Sequence, residues 1–224
     1  MDVGRVDSTR QKLTTPRAAA IAGILFAILY GTGLAIIRFS IPADATSGTD
    51  WLDVNSKRVD LAFNLVPYAG IAFLWFIGVI RDRLGEMEDR FFATVFLGSG
   101  LMFLGLTFTG AALSGGMLHS YSVFADTPVE AGLYTYNRAV VYDIINIYAV
   151  RMSGVFMISL STIWLRTGLM HRSWAIVTYV LALILLLSIG HFLWVALIFP
   201  AWVLVVSLYI LLHNADYLPE SGVG

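Results

Sequence analysis

A few polar residues lie inside long apolar stretches of this sequence, and Arg151 is the one basic residue near the middle of such a stretch. A charge at that depth in a bilayer costs about 2.5 to 3.5 kcal/mol even on a lenient scale, so it should face other helices or a wet cavity. Helical side chains lean toward the N-terminus of their helix, which brings the guanidinium level with polar groups on neighbouring segments. The predicted substrate-binding residues are Arg151, Asp143, Asn64, Asn146, Tyr68 and Thr107.

Two interpretations of Arg151 stay open. In the first, it is a structural clamp that joins helices through hydrogen bonds and touches no substrate. In the second, it attracts an anion or takes part in proton transfer in an outward-open cavity, with Asp143 and Asn64 as polar neighbours. Asp143 precedes Arg151 by eight residues, about two helical turns, which is too far for a direct ion pair.

No pattern typical of an enzyme active site is present. The sequence has no P-loop, hydrolase elbow or paired-acid helix motif. It contains no cysteine, which excludes thiolate metal sites and cysteine nucleophiles. None of its four histidines has a second histidine three or four residues away. We therefore expect no metal and no cofactor, and an enzyme is the least favoured class of function.

The composition indicates a membrane protein. Of the 224 residues, 58% are hydrophobic and 13% are charged, and the mean hydropathy is +0.78. Soluble domains are about half apolar and about a quarter charged. The formal net charge of -1 lacks the basic excess that phosphate-backbone recognition needs, so nucleic acid is not an expected partner. The expected partner is the lipid bilayer.

Six apolar stretches are long enough to be candidate spans, because a bilayer core about 30 Å thick needs roughly 20 residues of helix. We predict an all-α transmembrane bundle of six spans in one domain, residues 18–213, between tails 1–17 and 214–224. The fifth span is short, a hairpin at Gly190 and His191 separates it from the sixth, and Pro200 should kink the sixth. The spans are residues 18–37, 61–80, 91–113, 139–165, 174–189 and 192–212.

The distribution of basic residues in the short loops predicts the orientation, since cytoplasmic loops carry the excess of Lys and Arg. One side of the six-span arrangement holds nine basic residues and the other holds four. Both termini, and both tails, are therefore expected in the cytoplasm. Twelve of the fourteen basic residues are Arg, which suggests a GC-rich bacterial genome and a multi-pass protein of the bacterial inner (plasma) membrane.

Small residues recur in the first and third spans, where they would let helix backbones approach closely. Gly23 belongs to the first set, and Gly98, Gly100, Gly105 and Gly110 line the third span. Packing within the chain and packing at a subunit interface are both compatible with this pattern. Gly105 in particular is expected at a close helix contact.

The loop after the second span has the spacing G-x-x-x-D-R-x-G, formed by Gly78, Asp82, Arg83 and Gly85. This spacing resembles the cytoplasmic loop signature of major facilitator transporters. The family pattern continues with two basic residues, where this sequence has Glu86 and Met87, and six spans are half of the family's twelve. The resemblance implies a transporter built from two copies. The simpler alternative is a tight turn with basic anchors on the cytoplasmic side.

The organisation of the whole chain is similar to that of uncharacterised bacterial six-helix membrane proteins grouped as a domain of unknown function. The features that carry the resemblance are the basic start at Arg17, the Asn64-Leu-Val-Pro67 opening of the second span, the turn at residues 81–90 and the segment 165–174. The resemblance implies an architecture and no activity.

Three classes of function remain compatible with the sequence. The favoured one is a membrane protein that binds or transports a small solute or a lipid. The alternative is an accessory or assembly subunit of a larger membrane complex, with a second copy of the chain or another membrane protein as its partner. A membrane-embedded enzyme ranks last.

The topology can be tested with reporter fusions. Reporters placed after Arg83, after Arg172 and at the C-terminus should report the cytoplasm, and reporters near Asn55 and Thr127 should report the outside, because of the nine-to-four bias in basic residues. An external C-terminus would contradict the six-span arrangement.

Overall fold

The structure is a computed structural model, and it describes residues 15–41, 50–84, 90–123, 131–168, 170–188 and 194–213. All regular structure in these ranges is helical. The elements are α1 (Thr15–Ser40), α2 (Asp50–Leu84), α3 (Arg90–Val123), α4 (Ala131–Asp143), a π-helix (Ile144–Ala149), α5 (Val150–Thr167), α6 (Arg172–Leu187), a 3-10 turn (Val195–Leu197) and α7 (Ile198–His213). The α4 helix, the π-helix and α5 follow one another without a break, so they form one long helix.

Five of the described helical segments are long and apolar enough to cross a membrane. The remaining apolar helix, α6, has 16 residues, or about 24 Å at 1.5 Å per residue, which is shorter than a bilayer core of about 30 Å. The all-α, multi-pass class predicted from the sequence is confirmed, whereas the sixth span and the orientation of the chain stay predictions. The five segments are Ala18–Ser40, Val54–Arg81, Phe91–Ser120, Gly132–Thr167 and Val195–Leu212.

The two prolines of the spans occupy different places from those expected. Pro67 lies inside α2, because the helix begins at Asp50 and not at the predicted start of the second span. Pro200 lies in the first turn of α7, which begins at Ile198. A proline is tolerated there, since the first N–H groups of a helix have no intrahelical partner. The kink predicted at Pro200 stays a prediction.

Several predictions fall outside the described residues. These are the Gly190 and His191 hairpin, Gly85 of the loop motif, residues 1–14 of the first tail and the second tail, residues 214–224. The predicted boundary at residue 17 lies inside α1, which begins at Thr15.

The centre of the bundle is a cluster of five phenylalanine rings, each from a different helix. Phe73 of α2 is fully buried, and its ring centroid lies 4.6 Å from that of Phe26 on α1 and 5.3 Å from that of Phe156 on α5. It also lies 5.4 Å from the centroid of Phe103 on α3 and 5.6 Å from that of Phe199 on α7. These separations are within the favourable range for tilted and edge-to-face aromatic pairs. One side chain of α2 therefore contacts rings from four other helices, α1, α3, α5 and α7.

Hydrogen bonds between side chains and a neighbouring helix fix the position of α6. Ser161 Oγ on α5 donates to the Ala175 carbonyl oxygen at 3.0 Å. Trp202 Nε1 on α7 donates to Thr178 Oγ1 at 3.0 Å. Such bonds are favourable where the surroundings offer polar groups no other partner. They attach α6 to α5 and α7 although α6 is too short to span the bilayer unaided.

The glycines of the spans divide into close contacts and open positions. A Cβ added at Gly100 would lie 2.7 Å from Ile77 Cδ1, and one at Gly110 would lie 2.6 Å from Ile145 Cδ1, so both glycines permit close helix packing. A Cβ added at Gly98 or Gly105 would have no atom within 4 Å. Gly105 is exposed, so the close contact expected for it within the chain is wrong.

The contact of α1 with α7 can be tested at Gly23. A Cβ there would overlap Ser207 Oγ and lie 2.8 Å from Phe76 Cδ2, and both side chains are fully buried. We expect Gly23→Ala to destabilise the protein by about 1 to 3 kcal/mol, as overpacking usually does.

Gly31 on the same helix is the matched control, because a Cβ there meets nothing within 4 Å. The Gly31→Ala variant should melt at or above the wild-type temperature in detergent, since Ala is the better helix former by about 1 kcal/mol. Equal melting temperatures for the two variants would contradict the close α1–α7 contact.

Candidate functional site

A cavity of about 190 Å³ lies between α1, α2, α3, α4 and the π-helix. It is partly open, and its walls are mainly apolar. Five of its lining residues come from α1, one follows the end of α1, two come from α2, four from α3, three from α4 and two from the π-helix. They are Tyr30, Gly33, Leu34, Ile37, Arg38, Ile41, Phe63, Val66, Thr107, Gly110, Ala111, Ser114, Arg138, Val141, Tyr142, Ile145 and Asn146.

The residues that line the cavity are spread along α1. Tyr30 and Ile41 both line it, and these positions are eleven steps apart, or about 16 Å at 1.5 Å per residue. A smaller cavity of about 60 Å³ adjoins it and shares Phe63 and Ser114 among its lining residues. The second cavity reaches Tyr134 and Asn137, so the available space continues toward the beginning of α4.

Arg38 joins α1 to the π-helix inside this cavity. Its side chain is half-buried, and the guanidinium Nη2 donates to Asn146 Oδ1 at 2.6 Å. Asn146 is fixed in turn, since its Nδ2 donates to the Tyr142 carbonyl oxygen at 3.0 Å. The side chain of a helical residue leans toward the N-terminus of its helix, so Arg38 extends from the last turn of α1 back toward the middle of the bundle.

The described wall of the cavity contains basic side chains. Arg38 and Arg138 line it, and no Asp or Glu is among its described lining residues. The hydroxyl groups of Tyr30 and Tyr142 lie close enough to interact with the Arg38 charge. In the described part of the chain, Arg38 therefore has neutral polar partners and no carboxylate.

Thr107 and Ser114 place hydroxyl groups on the α3 wall. Ser114 Oγ donates to the Gly110 carbonyl oxygen of its own helix at 2.8 Å. Thr107 is 3% exposed, and its Oγ1 forms no hydrogen bond of good geometry with the residues that the structure describes, although the Tyr30 hydroxyl lies beside it. Buried hydroxyls normally have a partner, and the substrate contact predicted for Thr107 stays a prediction.

The π-helix presents Asn146 to the cavity. Six residues, Ile144–Ala149, form i to i+5 hydrogen bonds there, and they separate two ordinary α-helices. Such turns are rare and are frequent at functional sites. The change in residues per turn alters which side chains share a face of the helix across this segment.

The structure brings two of the six predicted site residues, Thr107 and Asn146, to the wall of one cavity. Asn64 is exposed, and its Nδ2 donates to Asp60 Oδ2 at 3.1 Å within α2. Tyr68 is 64% exposed and Asp143 is also exposed.

Arg151 does not line the cavity. It is half-buried, and its Nη1 donates to the Ile147 carbonyl oxygen of its own helix at 3.3 Å. This bond joins no second helix. The clamp and the ligand site proposed for Arg151 both stay predictions.

The loop motif does not contribute to the cavity. Gly78 is exposed on α2, and Asp82 and Arg83 belong to the last turn of the same helix.

Within the described ranges, no group of three or more His, Asp or Glu residues could hold a metal ion.

The sequence-based prediction missed Arg38, Arg138, Tyr30 and Tyr142. It ended the first span at residue 37, so Arg38 counted as a loop residue. The available signal was the lean of helical side chains toward the N-terminus, which takes an arginine in the last turn of α1 into the bundle.

Five long apolar helices define the chain as a polytopic membrane protein. The chain matches no known protein family, no curated protein and no solved structure. No family is therefore identified, and the two resemblances noted in the sequence stay interpretations.

The Arg38–Asn146 hydrogen bond can be tested with Asn146→Leu. This substitution removes the acceptor of a half-buried guanidinium, which should lower the stability by about 1 to 3 kcal/mol and lower the melting temperature in detergent. Asn64→Leu is the control, because that amide is exposed and bonds within its own helix. A melting temperature unchanged by Asn146→Leu would show that the bond contributes no net stability.

Proposed function

We propose that this membrane protein binds a small solute or a lipid in the cavity between α1, α2, α3 and α4, as a transport or sensing protein does. The observation that carries the proposal is a mainly apolar cavity with a few convergent polar groups, from Arg38, Asn146 and Thr107. This combination is typical of small-molecule sites, where apolar walls supply contact area and the polar groups fix orientation.

The size of the cavity supports this proposal. An apolar cavity of about 150 Å³ is large enough to hold a benzene molecule. The cavity here is larger, at about 190 Å³, and a second one of about 60 Å³ adjoins it. The spread of its lining residues over about 16 Å along α1 favours a narrow ligand that lies along this helix.

One observation favours a second candidate, an accessory subunit of a larger complex. Gly98 and Gly105 are exposed on the same helix, α3, and a Cβ at either position meets no atom within 4 Å. Exposed glycines on a membrane-spanning helix permit the close approach of another helix. That helix would belong to a second copy of the chain or to another membrane protein.

Substitution of two adjacent alanines tests the proposed binding site. Ala111 lines the cavity, and Ala112 is exposed and does not line it. The Ala111→Phe variant should place a phenyl ring in the cavity and reduce the bound ligand about tenfold or more, whereas Ala112→Phe should bind as the wild type does. The measurement is native mass spectrometry after purification in mild detergent, which also reports any protein that copurifies.

Both variants are first compared with the wild type by thermal melting, so that a loss of binding is assigned only to folded protein. An Ala111→Phe variant that melts normally and retains the same bound molecule would contradict the proposed site. A wild-type protein that retains only a protein partner would favour the accessory subunit.

A further inference from the structure

A formal positive charge reaches the cavity from α1 without a carboxylate partner in the described ranges. The Arg38 guanidinium donates to Asn146 Oδ1, a neutral acceptor, at 2.6 Å. A guanidinium has five N–H donors in a planar fork, and this bond uses one of them. The side chain is half-buried within Ala18–Ser40, a membrane-spanning segment.

A charge in such surroundings is normally neutralised. Removal of an ion from water is unfavourable unless a counter-charge or several hydrogen bonds compensate for it. None of the described lining residues of the cavity is acidic. A cleft lined by one sign of charge with low-dielectric walls concentrates ligands of the opposite sign.

We propose that the ligand of this cavity is an amphipathic anion, with an oxyanion headgroup at Arg38 and a single apolar chain along the cavity walls. This inference rests on the proposed function and names the chemical class of its ligand. A planar guanidinium fork matches the oxygens of a phosphate or carboxylate, which accept two parallel N–H bonds. Asn146 Oδ1 accepts one bond from the guanidinium Nη2, and the other N–H groups of the fork remain for the ligand.

The walls beside Arg38 suit the apolar part of such a ligand. Leu34 and Ile37 of α1 and Phe63 and Val66 of α2 line the cavity. Burial of an alkyl chain against these apolar walls is favourable when the ligand enters from the aqueous phase. The headgroup would thus contact Arg38 and the chain would contact the apolar side chains of the same cavity.

The first experiment compares headgroups on the wild-type protein and needs no variant. The probes are dodecyl phosphate, dodecylphosphocholine, dodecanol and inorganic phosphate, each added at the same concentration to protein in a non-ionic detergent, with binding measured by native mass spectrometry. Dodecyl phosphate should bind about tenfold more tightly, or better, than each of the other three. It alone combines a headgroup of net negative charge with an alkyl chain.

The second experiment removes the charge at Arg38. Arg38→Gln should weaken dodecyl phosphate binding about tenfold or more, while Arg38→Lys should retain part of it, since the charge survives without the planar fork. Arg58→Gln is the matched control, because Arg58 is exposed on α2 and does not line the cavity. It should leave binding unchanged. If Arg38→Gln fails to fold, Arg38→Lys and the headgroup comparison decide the question.

The outcomes separate this inference from the proposed function. Equal binding of dodecyl phosphate and dodecanol, both blocked by Ala111→Phe, would overturn the anion and leave the cavity as a binding site. Inorganic phosphate that binds as tightly as dodecyl phosphate would overturn the amphipathic ligand and indicate a free oxyanion from the aqueous phase. No binding of any probe to folded wild-type protein would count against both.

Discussion

The contact of Phe73 with the rings of Phe26, Phe103, Phe156 and Phe199 is the interaction on which the arrangement of the bundle depends. In a bilayer, lipid tails are as apolar as the side chains, so the hydrophobic effect does not drive helices together. Association must come from close packing and from the preferred geometry of aromatic pairs. One ring in contact with four others fixes the relative positions of five helices at a single level of the bundle.

The same requirement explains why the cavity lies where it does. At the level of Phe73 the helices are filled by rings, and Gly23 and Gly100 permit close contacts there, because an added Cβ at either glycine would meet a phenylalanine ring or Ser207. Toward the last turn of α1 and the end of α4, the helices enclose the cavity instead, and polar side chains such as Thr107 and Asn146 are part of its lining. Packing is incomplete at this level, which leaves the cavity open.

The sequence was sufficient for the class of fold because the apolar runs are long and the bilayer permits only helices to fill them. Thr107 and Asn146, which line the cavity, were among the residues singled out from the sequence, since polar side chains are conspicuous in an apolar run. Arg38 was missed because the length of an apolar run does not reveal where a helix ends. The exposure of Gly105 could not be predicted either, since its spacing fits a packed face and a free face equally well.

The π-helix changes the rotation of one half of the long helix relative to the other half. Its wider turn holds about one residue more than an α-helical turn, and one residue corresponds to a rotation of about 100° and a rise of about 1.5 Å. The residues before Ile144 and those after Ala149 are therefore out of phase with each other. A single helix can thus direct Arg138 and Tyr142 to the cavity at one end, and Phe156 to the ring cluster at the other. Deletion of one residue between 144 and 149 would restore the phase of an ordinary α-helix, and the two ends could then no longer keep both sets of neighbours.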